Sequence, residues 1–303
     1  MARRCYVQVL SEQESGALIW LALTSAMSAR ECDPDAKIML VLDRPTREAW
    51  TPAIRETVDA TFSSVVEVET PHAPGARASR HLKTSLRSLL DGDFLFVDID
   101  TLMIEPPIKM FDGHHDIGAC FDRNWEKWSP HRPTWVNEHY ENLGWTLSDR
   151  GYFNTGVLFM RDNAKARAFG AAWHLRWQLF VARVGKHQDQ PAFNSLVAQP
   201  DLKIRAYPLR YNAMVDAVPF FCWRAVIVHY FLQGGRRLNP ADSVLWQLAR
   251  TWRETGRFDR ERLKTARDKR DPWVHPTQSL QIELAAGEFR NAAGILWKRM
   301  LSR

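Results

Sequence analysis

The chain has 303 residues, 45% hydrophobic and 25% charged, with a net charge of +6. This composition supports a sizeable core and excludes wholesale disorder, and the length fits one α/β domain with an added tail. The positive balance favours acidic ligands such as nucleotides, phosphates or anionic lipid surfaces.

Residues 6–10 form a short apolar run that fits a first buried strand, and Ser15-Gly16 opens an apolar helix reaching about Arg30. Lys37 to Leu42 reads as a second strand ending at Asp43, Pro45 to Ala60 as a helix with Pro in its first turn, and Ser64 to Val68 as a third strand. Ser79 to Leu90 reads as a helix and Asp93 to Val97 as a fourth strand. Strands alternating with helices predict a mostly parallel, doubly wound sheet flanked by helices, with ligands at the carboxyl ends of the strands. Further on, Asp116 to Phe121 and Gly156 to Met160 read as strands on either side of a polar and aromatic insertion, Asp122 to Arg150. Ala164 to Arg183 reads as a helix that aligns Phe169, Trp173, Trp177 and Phe180 on one face. Ala225 to Val228 is a last strand ending at His229. From Asn239-Pro240 onward the chain reads as a helical tail, with Gly256 as a helix stop. The expected division is a catalytic domain over 1–238 and a helical extension over 239–303.

Cys5, Cys32, Cys120 and Cys222 have no CxxC spacing, which argues against a zinc site or disulfide framework and suits a reducing compartment. No signal peptide is read in Met1-Ala-Arg-Arg, and the apolar stretches are too short or interrupted to span a bilayer. The expectation is a soluble, cytoplasmic protein.

Four motifs carry the chemistry. In Phe94 to Asp100 a buried strand ends in two carboxylates one residue apart, Asp98 and Asp100. Two anionic oxygen donors suit Mg²⁺ or Mn²⁺, which also take phosphates as ligands, whereas a bare pair of acids is more often a solvated strand end. In Tyr152 to Met160 the pair Asn154-Thr155 and Gly156 precede a buried strand; Asn154 can hydrogen-bond hydroxyls, and the blander reading is a turn into a core strand. Asp189 and Gln190 stand before Pro191 at a helix start, where an N-capping Asp is the plain alternative. His229 ends a strand ahead of Gly234-Gly235-Arg236-Arg237. Its neutral ring nitrogen suits a metal, and the Gly and Arg residues suit a diphosphate.

In this order the four motifs resemble the GT-A fold glycosyltransferases, particularly the retaining family 8. The resemblance implies a Rossmann-like GT-A domain that transfers a hexose from a nucleotide-diphosphate sugar, a UDP-sugar in most members, to a glycan, lipid-linked or protein acceptor. It assigns a divalent metal, Mn²⁺ or Mg²⁺, to Asp98, Asp100 and His229. It assigns the sugar and reacting carbon to Asn154, Asp189 and Gln190, and donor contacts to Arg80, Lys83, Asp98, Gly234, Gly235 and Arg236. Trp125, Trp128 and Trp135 in the insertion offer flat faces to acceptor sugars, although a Trp in such a loop as often pins it to the core. The basic stretch Arg257 to Asp271 and the aromatic C-terminal segment are a candidate for peripheral contact with the inner face of a membrane. The helical spacing of Phe289, Ala293, Leu296 and Met300 equally fits core packing.

Three other readings fit less well. A haloacid-dehalogenase-like phosphatase would use Asp98-Ile99-Asp100-Thr101 but needs a later acidic pair. A sugar-nucleotide pyrophosphorylase needs a Gly-rich loop where Ser11-Glu12-Gln13-Glu14 stands. A carbohydrate-binding module without catalysis would suit the thirteen Trp residues. No nucleic-acid partner is expected, because the basic residues are dispersed rather than gathered with aromatics.

Overall fold

The computed structural model describes residues 3–13, 16–122, 134–146, 148, 151–199, 201–215, 225–230, 243–269 and 289–301. The chain divides into two compact units. The first comprises Met1–Leu18, Asp35–Ile99 and Pro107–Pro208; the second comprises Ile19–Pro34, Asp100–Pro106 and Leu209–Arg303.

The first unit is built on β1 (Cys5–Leu10), β2 (Lys37–Asp43), β3 (Ser64–Val68), β4 (Phe94–Val97), β6 (Ile117–Phe121), β7 (Phe153–Met160) and β8 (Ile204–Tyr207). These form one sheet in the order β3-β2-β1-β4-β7-β6-β8. β3, β2, β1 and β4 run parallel, β7 is antiparallel to both β4 and β6, and β8 is parallel to β6. The sheet is therefore α/β and mostly parallel, as the alternation of strands and helices predicts. β1, β2 and β4 are apolar along almost their whole length because helices cover such strands on both faces.

The helix expected over Pro45 to Ala60 is two helices, α2 (Arg44–Glu48) and α3 (Pro52–Thr61). Pro52 has no N–H and disfavours a helical residue before it, so the chain breaks and restarts with Pro52 in the first turn. Each piece has its own cap: the Asp43 carboxylate accepts from the Thr46 N–H at 2.9 Å, and the Thr51 hydroxyl accepts from the Ile54 N–H. α4 (Ala76–Leu89) and α6 (Ala164–Val184) pack on the sheet. Leu82 and Leu86 of α4, and Phe169, Trp173 and Trp177 of α6, join the core made by β1, β4 and β7. Between them, α5 (Thr134–Leu143) occupies part of the aromatic insertion.

The second unit holds α1 (Ala17–Cys32) from Ile19 onward, and a three-stranded sheet of β5 (Thr101–Met103), β10 (Ile227–His229) and β9 (Ala213–Met214). β10 is antiparallel to β5 and parallel to β9. α8 (Val244–Thr255) and α9 (Arg260–Lys269) share its core with Leu21, Leu102 and Val228. Ser243 caps α8, and Gly256 ends it in the left-handed conformation at φ 69°, the stop expected from sequence. Asn239-Pro240 lies outside the described residues. α10 (Phe289–Leu301) buries Ala292 but exposes Phe289 (71%), Leu296 (48%) and Met300 (68%). Helical spacing is met there without the core packing it suggests. Among the described residues no helix is long and apolar enough to cross a membrane.

Candidate functional site

The first unit gathers its chemistry at the carboxyl end of β4, where β7 parts from β6. Their register breaks between Ala119 and Cys120, which pair with Leu158 and Asn154, so Thr155, Gly156 and Val157 have no counterpart on β6. Such a bulge re-aims side chains. On its other side β7 stays with the end of β4: Val97 pairs with Val157, and the Asp98 N–H donates to the Gly156 carbonyl at 2.8 Å. Asn154 and Thr155 are thus buried residues within β7, not a turn ahead of it. The Asn154 side-chain oxygen accepts from the Gly156 N–H at 2.8 Å and closes the bulge.

Two linked clusters result. In the first, Asp189 is buried and ion-paired with Arg80 (Nε to Oδ1, 3.1 Å) and Lys83 (Nζ to Oδ2, 3.2 Å), and it accepts from the Thr155 hydroxyl at 2.7 Å. The Lys83 ammonium also lies 3.3 Å from Asp98 Oδ1 and 4.8 Å from the centre of the Phe96 ring. Burial opposes the charged form of Asp189, but the Lys83 and Arg80 charges and the Thr155 hydrogen bond outweigh it, and its pKa is lowered to about 2. The carboxylate does not cap the short helix α7 (Gln190–Asn194), where an N-cap is the plain reading of sequence. The cations claim it instead.

In the second cluster, Gln190 Nε2 donates to Asp122 Oδ2 at 2.7 Å, and Asn154 Nδ2 donates to the same oxygen at 3.2 Å. Asn154 Nδ2 also approaches Gln190 Oε1 at 3.4 Å. Asn194 ties α7 to β7: its side chain accepts from the Phe153 N–H at 2.6 Å and donates to the Phe153 carbonyl at 2.8 Å. From α6, Trp173 Nε1 donates to the Asp189 carbonyl and Trp177 Nε1 to the His187 carbonyl, both at 3.0 Å. These bonds fix the backbone on which the Asp189-Gln190 pair is carried.

The second unit brings together Asp100 and His229. His229 ends β10, Asp100 stands directly before β5, and these strands are paired. The Tyr230 N–H donates to the Asp100 carbonyl at 2.9 Å. His229 Nδ1 is 2.9 Å from the buried Asn212 side-chain oxygen. An amide oxygen only accepts, so Nδ1 carries the proton, and Nε2 faces Asp100 Oδ1 at 3.2 Å. A neutral imidazole nitrogen and a carboxylate oxygen facing each other require a cation, a proton or a metal. An imidazole oriented by a partner at its far nitrogen is the usual arrangement of a metal-binding histidine. The donors fit a divalent ion.

Of the residues singled out from sequence, Arg80, Lys83, Asp98, Asn154, Asp189 and Gln190 therefore meet in the first unit, and Asp100 meets His229 in the second. Gly234, Gly235, Arg236, Trp125 and Trp128 lie outside the described residues. So does the side chain of Trp135, whose backbone belongs to α5. Asp122 and Asn212 were missed. Asp122 follows β6 as Asp98 follows β4, an acid at the end of a buried strand, and that was its available signal. Asn212 precedes β9 in a segment with no motif. Trp145 of the insertion is a packing residue: its ring lies against Tyr140 and Phe180, beneath the Arg176 guanidinium.

The model of the nucleotide-diphospho-sugar transferase family matches residues 80–243, and the chain belongs to that family. It is a glycosyltransferase with a GT-A fold. Among solved structures it is similar to the galactosyltransferase LgtC, crystallised with donor and acceptor sugar analogues, at 16% identity over 82% of this chain and 94% of that one, with a TM-score of 0.54. It is also similar to the glycosyltransferase GlyE of Streptococcus pneumoniae TIGR4, at 14% identity over 90% of this chain and 66% of that one, with a TM-score of 0.51. The bifunctional glycosyltransferase WbbM gives 13% identity over 76% of this chain and 45% of that one, with a TM-score of 0.51. No individually curated protein matches the sequence.

Proposed function

We propose that the protein transfers a hexose from a nucleotide-diphosphate sugar, a UDP-sugar by family resemblance, to a glycan, lipid-linked or protein acceptor, with retention of anomeric configuration and dependence on a divalent metal. The observation that carries the reading is the cluster of Arg80, Lys83, Asp98 and Asp189 at the carboxyl end of β4, within a chain of the nucleotide-diphospho-sugar transferase family. Asp98, Asp100 and His229 would hold Mn²⁺ or Mg²⁺; two carboxylates and an imidazole suit either ion. Such an ion, when bound, neutralises charge on the departing nucleoside diphosphate.

The chain's own residues supply the rest. Arg80 and Lys83 place cationic N–H groups beside the donor, joined in this reading by Gly234, Gly235 and Arg236. Asp189, locked as an anion, keeps those two cations in place. Gln190 has its amide N–H on Asp122 and its Oε1 beside Asn154 Nδ2, and in this reading that oxygen is the dipole that faces an oxocarbenium-like carbon. Asn154 is fixed by the same carboxylate and is suited to a sugar hydroxyl. Trp125, Trp128 and Trp135 would line the acceptor. In this reading residues 1–238 carry catalysis in the cytoplasm, and residues 239–303 are an extension that touches the inner face of the membrane.

The stereochemical part rests on the resemblance of Asn154 and Asp189-Gln190 to the retaining families. Proton NMR of the first-formed product tests it. An α-linked donor is expected to give an α-linked product, and a β-linked product contradicts retention.

A further inference from the structure

The Lys83 ammonium is almost fully buried, its side chain 3% exposed, and lies 3.3 Å from Asp98 and 3.2 Å from Asp189. A cation so withdrawn from water is tolerable only with anionic partners, and here it has two that come from different motifs. Asp189 has a second cation in Arg80 and a hydroxyl donor in Thr155. α4 is anchored two turns from Arg80: Arg87, fully buried, donates to the carbonyls of Leu90, Gly92 and Arg161 and lies over the Phe94 ring. A Cβ at Gly170 of α6 would stand 2.6 Å from the Arg87 Cβ, so α6 packs directly on this anchor. Lys83 therefore has little freedom to withdraw when another cation approaches Asp98.

We propose that Lys83 is a built-in counter-cation for Asp98: it holds this carboxylate beside Asp189 in the metal-free protein and thereby weakens the protein's own grip on a divalent ion. A metal taken up by Asp98 meets the ammonium as a like charge at short range in a poorly solvated site, where such repulsion is strong. The protein alone then binds metal loosely, and the negative charge of a nucleotide diphosphate completes the balance. Lys83 acts through Asp98 as a positioning residue. The inference rests on the metal reading above.

The test uses the full chain with Mn²⁺ alone, without nucleotide, followed by calorimetric titration and thermal melts. Lys83→Met is expected to bind Mn²⁺ about tenfold more tightly than the wild type and to gain a larger rise in Tm from the ion, because the repelling charge is gone. Lys83→Arg, which keeps the charge, is expected to behave as the wild type. If Lys83→Met does not fold, Lys83→Gln, which still donates to Asp189, is measured for the same gain. Mn²⁺ binding by the wild type with unchanged or weaker binding by the neutral variant overturns the role of Lys83 and leaves the metal reading standing. No Mn²⁺ binding by either protein overturns both.

Discussion

Asp100 and His229 show how much one hydrogen bond decides at the scale of the residue. Because Asn212 accepts from Nδ1, the imidazole turns its other nitrogen toward a carboxylate, an arrangement that suits a shared proton or a metal. Asp100→Asn removes the charge at nearly constant volume, and the new amide can donate to Nε2. The expected outcome is a loss of donor turnover of about a hundredfold or more, as for removal of a metal ligand. The melting temperature of the metal-free protein is expected to hold, since Asp100 is at a strand end and not in the core. Turnover assays and thermal melts of the variant check both; retained turnover contradicts the assignment. These roles differ in how legible they were. Asp98 and Asp100 stand out because an apolar strand runs into them. Asp122 and Asn212 do not, because a lone acid or amide acquires its meaning only from partners distant in sequence.

α4 and α6 meet along a seam that carries the two cations at one end and three histidines beside it. The rings of His72 and His81 lie 5.3 Å apart, those of His81 and His174 lie 4.7 Å apart, and all three pack on Trp177. Burial, then the neighbouring His174 and His72, lower the pKa of His81 to about 4; burial also lowers those of His72 and His174. A histidine whose pKa is lower folded than unfolded is neutral in the folded protein, while the unfolded chain takes up its proton near the ordinary value. The cluster's contribution is therefore complete above about pH 6.5 and is lost as pH falls from there toward 4. Melting curves from pH 8 to pH 4 are expected to show a drop in Tm that is shallower in His81→Phe. An identical profile in the variant contradicts this account. Both helices were legible in sequence, α6 through the spacing of Phe169, Trp173, Trp177 and Phe180, but the seam was not, because helical spacing selects a face without selecting its partner. The helix break at Pro52 has a different cause, the local backbone restriction that proline places on the residue before it. That limit on helical spacing also explains α10, where Phe289, Leu296 and Met300 keep the spacing and are exposed, as are Trp297 and Leu301.

For the whole molecule, the order of strands and helices was legible because buried parallel strands read as continuous apolar runs. The grouping into two compact units was not, since it joins α1 and β5 to segments beyond residue 209 by contacts that leave no local pattern. The exposed aromatic and aliphatic side chains of α10, with a net charge of +6, suit an anionic surface. Sedimentation with vesicles is expected to pull the protein down with anionic lipid at low salt and to release it at high salt. Protein remaining in the supernatant with anionic vesicles at low salt contradicts peripheral attachment.

Metal-assisted cleavage of a nucleotide-diphosphate sugar is tested most directly by release of nucleoside diphosphate from a panel of nucleotide sugars, with Mn²⁺ and with EDTA. Slow hydrolysis of at least one donor in Mn²⁺, lost in EDTA, is expected; full hydrolysis in EDTA, or turnover of simple phosphomonoesters with no nucleotide sugar cleaved, contradicts the proposed function.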